Sequence, residues 1–81
     1  MPVLVGPTMV VRELIKRAKD EGCVLMTTRA GVMTSNGFRQ IRYLYNPKTE
    51  GRYPLDGLDD DDTILSYEIR LIERRLDIML L

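Results

Sequence analysis

Basic and aromatic side chains alternate in the middle of the chain, where together they could hold a polyanion. Arginine and lysine neutralise phosphates, and aromatic rings stack on unpaired bases. The pattern predicts RNA binding, and the residues that would carry it are Arg29, Phe38, Arg39, Arg42, Tyr43, Lys48 and Arg52, with Tyr45 beside them. The sequence leaves a second interpretation open, in which the same residues form a solvated basic sheet edge beside core aromatics.

Four consecutive aspartates, Asp59, Asp60, Asp61 and Asp62, form a second motif. An acidic run can imitate phosphates and bind a basic nucleic-acid-binding protein, which would make the chain an inhibitor or regulator of phage or plasmid type. It can also be a solvated loop whose charge suits the positive pole of the helix that follows. A calcium loop beginning at Asp59 is rejected, because Ile64 and Arg70 occupy the positions that require Gly and Glu.

The usual groups of acid-base and nucleophilic catalysis are scarce. The chain has no His and a single Cys, Cys23, which we interpret as a small buried hydrophobe. We therefore predict no catalytic residue, no metal and no cofactor, although a ribonuclease that uses other residues remains a third hypothesis. A lone Cys cannot form an internal disulfide, and no apolar stretch approaches the ~20 residues of a membrane span, so a cytoplasmic location is expected.

The neutral total charge conceals a division between the two parts of the chain. Residues 1–52 carry nine Lys or Arg against four Asp or Glu, a net +5, and residues 53–81 carry three against eight, a net −5. Such a polar molecule can attract a polyanion with one region and repel it with another. The division is informative about partners and uninformative about fold.

The local pattern begins with an amphipathic helix over roughly residues 9–21. Thr8 is its predicted N-cap, and Gly22 is the residue expected to end it. A strand over Cys23–Thr28 should follow directly. Ser35-Asn36-Gly37 indicates a type I′ hairpin turn into a second strand, Phe38–Tyr45.

A second hairpin over residues 46–51 leads to a short strand, Arg52–Leu55, whose proline belongs on a sheet edge. Apolar residues then recur at the spacing of a closing helix: Leu65, Ile69, Ile72 and Leu76. We predict one α+β domain over residues 1–81, with the order α-β-β-β-α and both helices on one face of a three-stranded antiparallel sheet. The apolar end, Ile78–Leu81, is either core or a self-association patch, so a homodimer is allowed.

The chain resembles the HicA-type mRNA interferases over most of its length. The likeness lies in Glu13–Leu25, in Ile41–Leu55 and in the closing helix, Thr63–Ile78. It implies a double-stranded-RNA-binding-like fold, RNA as the ligand, and a toxin of the toxin–antitoxin type that a partner antitoxin neutralises.

This chain departs from that family at the residue that matters for cleavage. Members carry a catalytic His in a Gly-Ser-His segment entering the second strand, whereas here the matching region lies near Phe38–Gln40 and contains no His. The amide of Gln40 cannot act as a general base. The sequence therefore fits either a catalytically inactive, lengthened relative of that family or an unrelated domain with the same architecture.

Overall fold

The computed structural model describes residues 6–34 and 37–81 and has the predicted α+β architecture. Its elements, in chain order, are β1 (Met9–Val10), α1 (Val11–Asp20), β2 (Val24–Thr34), β3 (Gly37–Asn46), β4 (Gly51–Pro54), β5 (Thr63–Ile64) and α2 (Ser66–Leu76). Strands β2, β3 and β4 form an antiparallel sheet in that order, and β1 pairs with β5 in a separate two-stranded ladder. The central meander between two helices is confirmed, and the small ladder is an addition.

The first helix begins later than the sequence predicted, and Thr8 is not its cap. Met9 pairs with Ile64 and Val10 with Thr63, so both residues are extended, and the helix starts at Val11. Strand pairing takes these residues because Met9 and Ile64 are both buried in the core. Gly22 does end the helix as predicted, in a left-handed conformation with φ 95° that glycine adopts without strain.

The hairpin between β2 and β3 is longer than predicted. Strand β2 continues to Thr34 instead of ending at Thr28, with an irregularity in the pairing between Thr27 and Gly31. Thr34 pairs with Gly37, so the connection consists of residues 35–36. The predicted type I′ turn rests on the Asn36-Gly37 pair, of which Asn36 lies outside the described residues and Gly37, with a positive φ of 109°, is the first residue of β3.

The second hairpin closes where the sequence indicated, and it leads into the predicted edge strand. Asn46 pairs with Gly51 across the turn formed by residues 47–50. The Cβ of a larger residue at Gly51 would clash with the backbone oxygen of Arg75, so the turn lies directly against α2. Glycine is required here because it allows this close approach.

Both helices pack on the same side of the sheet and bury one layer of core. The buried apolar residues are Met9, Val11, Leu14, Ala18, Cys23, Leu44, Leu55, Ile64, Ile69, Ile72, Leu76 and Leu80. Leu65 was predicted on the buried stripe of α2, but it precedes the helix and is 42% exposed. The molecule measures 42 × 34 × 16 Å, and the shortest dimension corresponds to one sheet and one helix layer.

The C-terminal segment is divided between core and surface. Leu80 is buried, its N–H donates to Glu73 Oε2 at 2.6 Å, and its carbonyl accepts from Arg17 Nη1 at 2.8 Å. Met79 is 74% exposed and Leu81 is about half exposed. The core interpretation therefore holds for Leu80, while Met79 and Leu81 belong to the surface.

Candidate nucleic-acid interface

Successive residues of β3 point to opposite sides of the sheet, and this alternation divides the predicted RNA-binding residues. Leu44 and Asn46 are buried against the helices, so Tyr43 and Tyr45 lie on the other side. We call this side the open face and define it by two cross-strand rows, Val24–Tyr45–Arg52 and Met26–Tyr43–Pro54. Val24 and Met26 are 42% and 40% exposed, so no layer of the described chain covers this face.

Arg52 lies over both tyrosine rings of the open face. Its Cζ is 5.7 Å from the centroid of Tyr43 and 5.5 Å from that of Tyr45. These distances fall within the ~6 Å range of cation–π attraction. The tyrosines are half-buried and Arg52 is exposed, so the three side chains form an aromatic platform with one cation above it.

The charge of the sheet is of one sign. Strands β2, β3 and β4 carry the four arginines Arg29, Arg39, Arg42 and Arg52, and their sequences contain no Asp or Glu. An anion that approaches the strands therefore meets no carboxylate from the strands themselves. This composition favours a phosphate-bearing ligand over a basic one.

Arg42 lies on the opposite side of β3 from the tyrosines and has partners within the chain. Its Nη1 donates to Asp60 Oδ1 at 2.8 Å, and its Nη2 donates to the Leu58 carbonyl at 3.1 Å. These bonds attach the loop after β4 to the sheet. Arg42 is thus part of the scaffold in this conformation, and it does not join Tyr43 and Arg52 on the open face.

The aspartate run caps the first helix and not the second one. The Asp62 carbonyl accepts from Val11 N–H at 2.9 Å, and the Asp60 carbonyl accepts from Arg12 N–H at 3.0 Å. The Asp61 carboxylate also forms an ion pair with Arg12. None of these acids caps α2 with its side chain, because Leu65 is the N-cap of that helix and makes no side-chain cap bond, while the β1–β5 ladder brings the run beside α1.

The structure places the remaining predicted residues at separate points. Lys48 is exposed in the turn between β3 and β4, at one end of the open face. Phe38 is 60% exposed and pairs with Met33 near the tip of the first hairpin, on the Arg42 side of β3 by alternation. The side chains of Arg29 and Arg39 lie outside the described part of the structure.

The hydrogen bond to Arg42 lowers the pKa of the Asp60 carboxyl, and the charges of Arg42 and Arg12 act in the same direction. A carboxyl with a depressed folded pKa contributes stability that is present above its unfolded pKa and is lost as pH falls through the folded value. We expect NMR titration to find Asp60 ionised below the usual carboxyl range of about 3.9, and Arg42→Gln to return it to that range. An Asp60 pKa that Arg42→Gln leaves unchanged would contradict the pairing.

Cys23 and the acidic groups offer no additional site in the described structure. Cys23 is 3% exposed, and burial raises the pKa of its thiol, with the charge of Glu21 adding to the effect. This confirms the interpretation of Cys23 as a small buried hydrophobe. Across residues 6–34 and 37–81, no group of three or more Cys, Asp or Glu side chains is arranged to hold a metal ion.

Asn46 is an important residue that the sequence analysis overlooked. It is 3% exposed, its Nδ2 donates to the Leu76 carbonyl at 2.7 Å, and its Oδ1 accepts from Lys48 N–H at 3.0 Å. The Asn46 amide thus provides a hydrogen-bond partner for the carbonyl at the end of α2 and for a backbone N–H in the turn after β3. The Asn-Pro pair indicated a turn, but only the fold shows which helix lies beside it.

Comparison with known proteins adds no relative. No protein-family model, no curated protein and no solved structure matches the chain. The likeness to HicA-type interferases therefore stays a prediction from the residues. Among the described helices, none has both the length and the apolar character needed to cross a membrane.

Proposed function

We propose that this protein is a non-catalytic RNA-binding module and that the open face is its binding surface. The observation that carries the proposal is the Arg52 guanidinium over the rings of Tyr43 and Tyr45, on a sheet side that no described element covers. Aromatic rings on an exposed sheet can stack on bases, and a guanidinium beside them can contact a phosphate. The HicA-like resemblance also supports RNA as the ligand.

The absence of His from the sequence supports binding without cleavage. The open face, as defined by its two rows, contains Val, Met, Tyr, Arg and Pro. None of these side chains carries an imidazole or a carboxylate, the groups that most often act as general bases near neutral pH. An RNA bound here would be held and protected, while cleavage would need groups that this surface does not supply.

Inhibition of a basic protein by the aspartate run is the second hypothesis, and the contacts of that run make it less favoured. Asp60 and Asp61 pair with Arg42 and Arg12, which compensates part of their charge. The backbone carbonyls of Asp60 and Asp62 complete the start of α1. Capping and ion pairing account for these aspartates, whereas the exposure of the open face has no such structural explanation.

The proposal is tested by charge reversal on each side of the molecule. Arg52→Glu removes the cation from the open face, and Arg70→Glu makes the same change of charge on the exposed side of α2. We expect Arg52→Glu to weaken binding of a short RNA about ten-fold or more at low salt, since phosphate contacts dominate affinity there. The matched variant Arg70→Glu should bind within about two-fold of the wild type.

The measurement is fluorescence anisotropy of a labelled RNA at two salt concentrations, with NMR shift mapping of the labelled protein. Salt-sensitive shifts at Tyr43, Tyr45 and Arg52 are the expected result. Equal weakening by Arg52→Glu and Arg70→Glu would show non-specific attraction and would overturn the assignment to the open face. Absence of binding at low salt would overturn RNA binding altogether and make the aspartate run the bait for a protein partner.

A further inference from the structure

Resting on the RNA-binding function proposed above, we infer that the open face takes an unpaired strand, with two successive bases stacked on Tyr43 and Tyr45, and that it rejects duplex RNA. This inference departs from the family resemblance, which implies a double-stranded-RNA-binding-like fold. Three features of the face support an unpaired strand: the spacing of the two rings, the position of Arg52 between them, and the side chains that surround them.

The spacing of the two tyrosines does not fit bases in a duplex. Residues i and i+2 of a strand lie about 7 Å apart, which is the Cα separation expected for Tyr43 and Tyr45. Neighbouring bases stacked in a double helix are about 3.4 Å apart along one strand. The two tyrosines are about twice as far apart as stacked bases. Each ring can therefore stack on its own base only if the nucleic-acid strand is extended and its bases are unstacked from each other.

The position of Arg52 fits the phosphate between two such bases. Arg52 is directly opposite Tyr45 and diagonal to Tyr43, and its guanidinium is nearly equidistant from the two ring centroids, at 5.5 and 5.7 Å. A nucleotide on each ring would bring the linking phosphate towards the point midway between them. The guanidinium can form paired hydrogen bonds with phosphate oxygens there.

The surroundings of the platform predict little discrimination among bases. Val24, Met26 and Pro54 complete the two rows, and none has a side-chain hydrogen-bond donor or strong acceptor. Reading a base edge or a 2′-hydroxyl requires such groups, and in the two rows they are limited to the hydroxyls of Tyr43 and Tyr45 and the Arg52 guanidinium, whereas stacking tolerates every base. We therefore expect single-stranded RNA and single-stranded DNA of the same length to bind with similar affinity.

Duplex RNA needs a different kind of surface. A double helix is recognised through phosphates and 2′-hydroxyls across about 16 base pairs, and its base faces are already covered by their neighbours. The regular rows of the open face involve only two residues of each of β2, β3 and β4. Such a small apolar-aromatic surface can accept separated bases but cannot span successive grooves.

The test compares four labelled probes of equal length on the full chain: an unpaired RNA, the same sequence as DNA, a blunt RNA duplex, and an abasic strand that retains only sugar and phosphate. The proposal expects the two unpaired strands to bind about ten-fold or more tightly than the duplex or the abasic strand. Tyr43→Leu and Tyr45→Leu should each weaken binding of the unpaired RNA about ten-fold and leave the abasic strand unaffected.

Conservative variants separate stacking from folding. Tyr43→Phe and Tyr45→Phe keep the ring and should bind within about three-fold of the wild type, and circular dichroism reports whether each variant is folded. Retained affinity in folded Leu variants would overturn the stacking role.

Duplex binding equal to or tighter than single-strand binding, with Arg52→Glu still weakening it, would overturn this inference and leave the proposed function standing. No binding of any probe would overturn both.

Discussion

Replacing Leu44 with alanine is expected to lower the free energy of unfolding by about 2–5 kcal/mol, the usual range for a buried leucine. Leu44 is fully buried in the central strand, with Leu25 and Tyr53 at the paired positions on either side. Both of these neighbours pack against the core, so the truncation would leave a cavity between sheet and helices. Urea denaturation followed by circular dichroism measures the change.

Met26→Ala is the matched control, because it removes an apolar side chain from the other side of the same sheet. Met26 is 40% exposed on the open face, so its truncation should lower the free energy of unfolding by about 1 kcal/mol or less. A loss for Met26→Ala as large as that for Leu44→Ala would mean that the open face is packed in solution. The assignment of that face to binding would then be wrong.

Asn46→Ala is expected to have the second large effect, lowering the free energy of unfolding by about 2 kcal/mol. The buried amide links the Leu76 carbonyl at the end of α2 to the N–H of Lys48 in the turn after β3. Removing it leaves the Lys48 N–H without this acceptor and the Leu76 carbonyl with the long 3.5 Å contact from Thr49 Oγ1, and unsatisfied buried groups cost about 1–3 kcal/mol each. The loss should appear in thermal and urea unfolding alike.

Asn46→Asp distinguishes the lost hydrogen bond from lost packing, because the side chain keeps its size. The new carboxylate can still accept from Lys48, but it cannot donate to Leu76 and lies at the negative end of α2. Burial there raises its folded pKa, so the variant should be less stable than Asn46→Ala at neutral pH and recover as pH falls through that value. Wild-type stability at neutral pH would show that the donor is unimportant. Lys48→Ala, which changes an exposed side chain in the same turn, should change stability by about 0.5 kcal/mol or less.

Local pattern was sufficient to predict the larger elements of the fold. The apolar spacing in both helices, Gly22 after α1 and the turn before Gly51 all depend on neighbours in sequence, and each is found. The β1–β5 ladder was missed because it consists of two residue pairs between the ends of the chain. No periodicity in Met9–Val10 can indicate a partner that is more than fifty positions away.

The candidate site was predicted in composition but not in arrangement. Tyr43 and Arg52 do lie together, since strand alternation and the second hairpin determine their relation. Arg42 was grouped with them as one of the basic residues of the strands, although the alternation of side chains along β3 puts it on the opposite side. Its pairing with Asp60 depends on how the loop after β4 returns to the sheet, and that path is set by tertiary packing.

The cap that the aspartate run provides for α1 has a consequence for the order of events during synthesis. Arg12 and Asp61 are 49 positions apart, so α1 leaves the ribosome well before the residues that complete its first turn. At about 5–20 residues per second the interval is roughly 2–10 s. Throughout that time the first N–H groups of the helix can bond only to water or to other molecules. The nascent chain therefore presents an unfinished, basic N-terminal helix to its surroundings until its own acidic segment arrives.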